Sequence, residues 1–219
     1  MVLHGGPISP FVRKVGVCIV EKGLESRVQF KRSFTAMVQA NTELLAHNPL
    51  SKIPTLLTDD GLALFDSDVI CEYLDCTFTP PSLIPPAGPA RWQALRWNAL
   101  GSGALDALVL WRFERNRPAP QQSTEVLRAY AVKIAAVLAR VEEEMPVVVA
   151  QPFAMGHIAF GCLFGYLDFR FSDIDWRSAH SACAAFFADF SRRPSALKTE
   201  PYENGRMTNL SGHLWPPVV

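Results

Sequence analysis

NPLSKIPTLLTDDGLALFDSDVICEYL, residues 48–74, reads as a break, two strands and a helix in immediate succession. Asn48-Pro49 stops whatever helix precedes it, because proline restricts the residue before it and lacks a donor. Thr55–Leu57 and Leu62–Phe65 are apolar runs joined by Asp59-Asp60-Gly61, and an Asp-Gly step readily takes the positive φ of a tight hairpin. Asp66 or Ser67 then caps a helix running to Leu74, with Val69, Ile70, Tyr73 and Leu74 on one face.

Upstream, Val2-Leu3-His4 is a short strand, and Ser9-Pro10 starts a helix. The serine accepts from free N–H groups, and the proline is pre-set for the first turn. Phe11, Val12, Val15, Ile19 and Val20 recur at helical spacing as far as Lys22, and Gly23 supplies the left-handed exit. Arg27–Lys31 alternates like a strand, and Met37–Ala46 is weakly helical. The order βαβαββα is that of the thioredoxin fold, assigned to residues 1–78.

Downstream, the proline-rich stretch 79–89 can continue neither element type and marks a linker. Residues 90–219 then predict an all-α helical bundle. Arg91–Arg115, Ser123–Met145, Met155–Phe171 and Ser178–Phe190 each repeat apolar residues at i, i+3 and i+4. Leu127, Tyr130, Ile134, Val137, Leu138 and Val141 make the clearest stripe, read as bundle core. Met155–Leu167 is broken by Gly156, Gly161 and Gly165 and is shorter than the roughly 20 residues that cross a bilayer. The tail Thr199–Val219 is rich in proline and polar residues and contains His213-Leu214-Trp215.

Of the 219 residues, 49% are hydrophobic, enough for one large or two compact cores. Lysine plus arginine and aspartate plus glutamate each number 21, so no charge excess favours nucleic acid or an anionic membrane. The N-terminal MVLHGGPISPF has no basic region followed by an apolar one, which predicts a protein that stays in the cytoplasm. The five cysteines (18, 71, 76, 162, 183) show no C-x-x-C and no ligand spacing, so neither a disulfide framework nor a metal is expected.

Three pairs carry candidate chemistry. Ser9 stands where a helix N-terminus favours negative charge, although such serines are often only caps. Pro54 at a strand start would, if cis, turn the Ile53 backbone outward to pair with an extended peptide; steric tolerance alone also permits it. Asp66-Ser67 offers N–H groups and a hydroxyl to a carboxylate and an aspartate to an ammonium, or is again a plain cap.

Taken together, SPFVRKVGVCIVEKGL, the 48–74 segment, GYLDFRF and RRPSALKTEP resemble the cytosolic glutathione transferases, in particular bacterial members with a serine-type site. That resemblance covers nearly the whole chain. It implies a thioredoxin-like domain followed by an all-α domain, and Ser9 as the hydroxyl that stabilises the thiolate of glutathione. Ile53-Pro54 would hold the cysteinyl backbone, Asp66 and Ser67 the γ-glutamyl group, and Lys52 the glycyl carboxylate. A small hydrophobic electrophile would sit near Ile8, Phe11, Trp111 and Arg112, with Arg115 on a basic rim. The resemblance further implies conjugation in detoxification by a cytoplasmic homodimer, with no metal. Peroxidase, dehalogenase, isomerase or ether-lyase chemistry remains compatible with the same thiolate, as does a non-catalytic binding or regulatory role. No cysteine occupies position 9 or 10, which disfavours mixed-disulfide chemistry. Many family members begin their sixth helix with a Ser/Thr-x-x-Asp box; here the sequence is Ala154-Met155-Gly156-His157, leaving His157 to replace part of it.

Overall fold

The computed structural model describes residues 1–78, 80–203 and 212–214; Thr79, at the start of the expected linker, and Trp215 lie outside them. The chain divides into two compact units, Met1–Ile84 with Arg192–Val219, and Pro85–Ser191.

In the first unit a four-stranded sheet has the order β2-β1-β3-β4. β1 (Val2–Gly5) pairs in parallel with β2 (Gln29–Arg32), β3 (Thr55–Leu57) pairs antiparallel with β1, and β4 (Ala63–Leu64) antiparallel with β3. α1 (Pro10–Glu21) is buried almost all round, which is why nine of its residues from Pro10 to Ile19 are out of solvent. α3 (Ser67–Thr77) packs against it through Ile70, Cys71 and Leu74. This is the small mixed sheet with helices that the βαβαββα order predicts.

Local differences have local causes. The expected helix over 37–46 shrinks to α2, one turn at Thr42–Leu45. Phe34, Met37 and Val38 stay in solvent, so no apolar stripe is buried to support more, and the Asn41 side chain caps the turn by accepting from Leu44 N–H at 3.1 Å. β2 starts two residues late because Glu25–Arg27 winds into a 3₁₀ turn.

The chain returns to the first unit after Arg192, and α8 (Pro194–Lys198) lies along α1. Arg193 grips the Glu21 carboxylate with two bonds of 2.9 Å, and Lys198 pairs with Glu25 at 2.9 Å. Gly16 makes this approach possible, since a Cβ there would stand 3.0 Å from the Thr199 methyl and 3.2 Å from Leu214. The composition of residues 192–219 gives no sign of this return.

The second unit is helical: α4 (Gly88–Arg115), α5 (Thr124–Val149), α6 (Met155–Arg170) and α7 (Ser181–Ser191). α5 runs four residues past Met145 and through Pro146, because Val148 continues the buried stripe of Ile134, Leu138, Val141 and Met145. α7 begins after Ser178 because the Asp175 carboxylate holds residues 175–178 in a turn and Glu142 of α5 accepts from Ala182 and Cys183 N–H, both at 2.9 Å. α4 and α6 cross tightly, and a Cβ on Gly101 would lie 2.7 Å from that of Ala159. Among the described residues no helix is long and apolar enough to cross a membrane.

Candidate functional site

Ser9 is the N-cap of α1, with extended φ/ψ of −84° and 124°. Its Oγ accepts from Val12 N–H at 3.3 Å and its O–H donates to no described residue, so that hydrogen is available to an anion. The first turn of α1 holds no acidic side chain, and the positive end of the helix is left uncompensated there.

Asp66 caps α3, accepting from Asp68 N–H at 2.8 Å with its side chain in solvent. Ser67 is 2% exposed, yet its hydroxyl meets no hydrogen-bond partner among the described residues. Lys14 joins these two helix starts. It is 0% exposed on α1 and pairs with Asp68 in the first turn of α3. Sequence reading passed over Lys14, although a lysine inside the most apolar helix of this half was the available signal.

Below that pair the thiols are closed to chemistry. Hydrogen bonding with Cys18, reinforced by burial, pushes the Cys71 thiol well above its ordinary range. In the second unit burial and the Glu142 carboxylate do the same to Cys183. A thiolate nucleophile drawn from these buried cysteines is therefore disfavoured.

The Ile53–Pro54 peptide is cis, and the β3 ladder with β1 begins only at Thr55, leaving Ile53 outside the register. Asn48, fully buried, builds the loop ahead of it: Nδ2 donates to the Lys52 carbonyl at 3.1 Å and to Thr55 Oγ1 at 3.0 Å, while Oδ1 accepts from Leu50 N–H at 3.0 Å. Sequence reading took Asn48 only as part of a helix break. The Lys52 side chain is exposed. Beneath the sheet, His4 Nδ1 meets Ser33 Oγ at 3.0 Å, its ring 5.5 Å from that of His47. Burial, with Lys31 and His47 nearby, holds its pKa below the ordinary histidine value.

Of the expected electrophile residues, Ile8 is exposed and Phe11 half-buried in the first unit. In the second, Trp111 is 8% exposed with its ring 5.1 Å from Phe171, and Arg112 is half-buried. Arg115 pairs with Asp173 at 2.7 Å, while Glu114 binds Arg117 and accepts from the Ser123 N–H. No group of three or more His, Cys, Asp or Glu among the described residues is placed to hold a metal ion.

Residues 8–77 match the family model described as "Glutathione S-transferase, N-terminal domain". The chain is 30% identical over 203 residues to the uncharacterized GST-like protein YibF of Escherichia coli (strain K12), covering 92% of this chain and 98% of that protein. A glutathione transferase family member from Pseudomonas fluorescens Pf-5, solved with bound glutathione, superposes with a TM-score of 0.89 at 40% identity, covering 92% of this chain and 99% of that one. A structure of a family member from the same organism with bound S-(propanoic acid)-glutathione gives 0.85 at 39% identity, covering 93% and 100%. Motif, fold and relatives converge, and the chain belongs to the glutathione transferase family.

Proposed function

We propose that the protein is a glutathione S-transferase in which Ser9 stabilises the glutathione thiolate for attack on a hydrophobic electrophile. The observation that carries this reading is the pair of helix starts joined by Lys14–Asp68. Ser9 has an uncommitted O–H, and Ser67 an unpartnered hydroxyl despite near-complete burial. Hydroxyl hydrogens left unused at two helix N-termini suit an anionic ligand.

In this reading Asp66 receives the α-ammonium of the γ-glutamyl group, Ser67 and the α3 N-terminus its carboxylate, Ile53 the cysteinyl backbone and Lys52 the glycyl carboxylate. Serine is too weak a base to take the thiol proton, which leaves to water; the Ser9 O–H then donates to the sulfur anion. Lowering the thiol pKa by about 2 units corresponds to about 2.7 kcal/mol, within reach of a charge-assisted hydrogen bond plus a helix N-terminus. The thiolate sulfur forms a C–S bond to the electrophilic carbon, displacing a leaving group as its anion or, at an activated double bond, adding while the neighbouring carbon takes a proton from water. The relative holding S-(propanoic acid)-glutathione, a thioether of glutathione, supports conjugation over peroxide reduction. A cytoplasmic homodimer acting in detoxification completes the reading, and the solvent-facing Leu62, Val69 and Trp92 are apolar surface that an interface would cover.

Calorimetric titration with glutathione, followed by thiolate absorbance against pH, tests it. Binding with a depressed thiol pKa is the expected result. Binding with an ordinary thiol pKa would favour a sensor or regulator, and no binding would remove the glutathione site.

A further inference from the structure

Two lysine–aspartate pairs join α1 to α3, and they differ in where their charges end. Lys14 meets Asp68, and about two turns further along both helices Lys22 meets Asp75 at 3.0 Å. The order of these contacts makes α1 and α3 parallel, with their N-termini side by side.

The later pair is closed. Its side chains are 0% and 3% exposed, and Lys22 also donates to the Phe78 and Pro81 carbonyls at 2.9 and 2.8 Å. The Asp75 carboxylate accepts from Leu83 and Ile84 N–H at 2.7 and 2.9 Å and from the Ser82 hydroxyl at 3.1 Å. These bonds hold residues 78–84 against both helices, and they account for a buried charge pair by stability alone.

The earlier pair is built differently. Lys14 is entirely out of solvent, whereas the Asp68 side chain is 41% exposed. A lysine buried that far needs a partner for its charge, and the partner here stands at the surface, in the first turn of α3 and next to Ser67. Asp66, the N-cap, is also in solvent and accepts from Asp68 N–H at 2.8 Å. The start of α3 therefore carries two carboxylates, which outweigh the partial charge of about +0.5 at a helix N-terminus. An incoming carboxylate is repelled there unless the protein offsets at least one of them.

We propose that Lys14 is a positioning residue that sets specificity for the γ-glutamyl carboxylate of glutathione, by neutralising Asp68 from within the core so that the α3 N-terminus can accept an anion. This rests on the glutathione reading above and adds to it a residue that touches no ligand. Lys14 acts through Asp68, whose carboxylate it draws toward α1. Asp66 is left as the acid that meets the ligand's ammonium. One buried lysine thus divides two neighbouring aspartates between the protein and the ligand.

The test uses the full chain and two probes, S-methylglutathione and its analogue in which the γ-glutamyl α-carboxylate is a primary amide. The S-methyl group keeps thiol ionisation out of the measurement, and binding is read by calorimetry. Lys14→Met should weaken S-methylglutathione about tenfold, or about 1.4 kcal/mol, and the amide by less than about twofold. Adding Asp68→Asn to Lys14→Met should bring S-methylglutathione back to within about threefold of native. Thermal midpoints establish that the variants fold, and Lys14→Gln serves in place of Lys14→Met should that variant fail. Native S-methylglutathione affinity in a folded Lys14 variant, equal weakening of both probes, or no recovery in the double variant overturns the proposal. In each of those cases native binding of S-methylglutathione leaves the glutathione reading standing. A native chain that binds neither probe overturns that reading, and the role of Lys14 with it.

Discussion

The helix starts of α1 and α3 differ from that of α6 in how far the protein satisfies their polar groups. At α6 the Ala154 N–H donates to His157 Nδ1 at 3.1 Å, and His157 Nε2 donates to the Val148 carbonyl at 2.9 Å. His157 is buried between Phe153 and Phe186 and supplies the reciprocal half of a capping box whose other half Ala154 cannot make. Its polar atoms are spent inside the protein. At α1 and α3 the caps use only acceptor oxygens, and the hydroxyl hydrogens of Ser9 and Ser67 are left over. An N-terminus that the protein fully satisfies serves stability, and one it leaves partly open suits the ligand proposed for it.

The largest effect expected from this contrast is on the closed end. His157→Ala leaves a buried N–H and a buried carbonyl unpaired beside a cavity, and should lower unfolding free energy by about 3 kcal/mol. Glutathione affinity should be unchanged. Chemical denaturation read alongside calorimetry checks both, and a mutant of native stability would break the contrast.

Ser9→Ala should do the opposite. Turnover falls and the bound thiol pKa rises by up to about 2 units, equivalent to about 2.7 kcal/mol, while glutathione affinity barely moves. Stability should drop by about 1 kcal/mol, the ordinary loss of a cap. Native activity with a native thiol pKa would remove Ser9 from the chemistry.

Ser67→Ala should weaken glutathione binding about tenfold, or about 1.4 kcal/mol, with no loss of stability, because the hydroxyl has no internal bond to lose. A stability loss at native affinity would place Ser67 with His157, on the closed side of the comparison.

The smallest effect concerns the other end of α1. Burial would raise the Glu21 carboxyl, but Arg193 and Ser195 outweigh it and hold the pKa below its ordinary 4.5. A carboxyl depressed in the folded state contributes stability above the unfolded value and loses it as pH falls through the folded one. Glu21→Gln should therefore reduce stability by about 1 kcal/mol at neutral pH and converge with the native protein as pH falls through the depressed Glu21 value, below 4.5. Urea unfolding at several pH values checks the convergence.

Much of the first unit could be read directly from residues 48–74 and the helix begun by Ser9-Pro10, because each element there has a local cause: a proline, an Asp-Gly turn, a capping side chain. The candidate site residues were legible for the same reason, since caps announce themselves in sequence. Residues 37–46 were misjudged because helical periodicity means little without a surface to bury it. Lys14 and Asn48 were invisible as site features because their importance lies in what they face across other elements.

Sequence alone thus determined the strand–helix order of residues 1–78, the caps that start α1 and α3 and the family, all of which depend on neighbours within a few residues. Tertiary structure decided which of those helix starts remain open. It brought α8 back along α1 and joined Lys14 to Asp68. Satisfaction of a polar group is a long-range property, because its partner can come from any element that the core brings alongside.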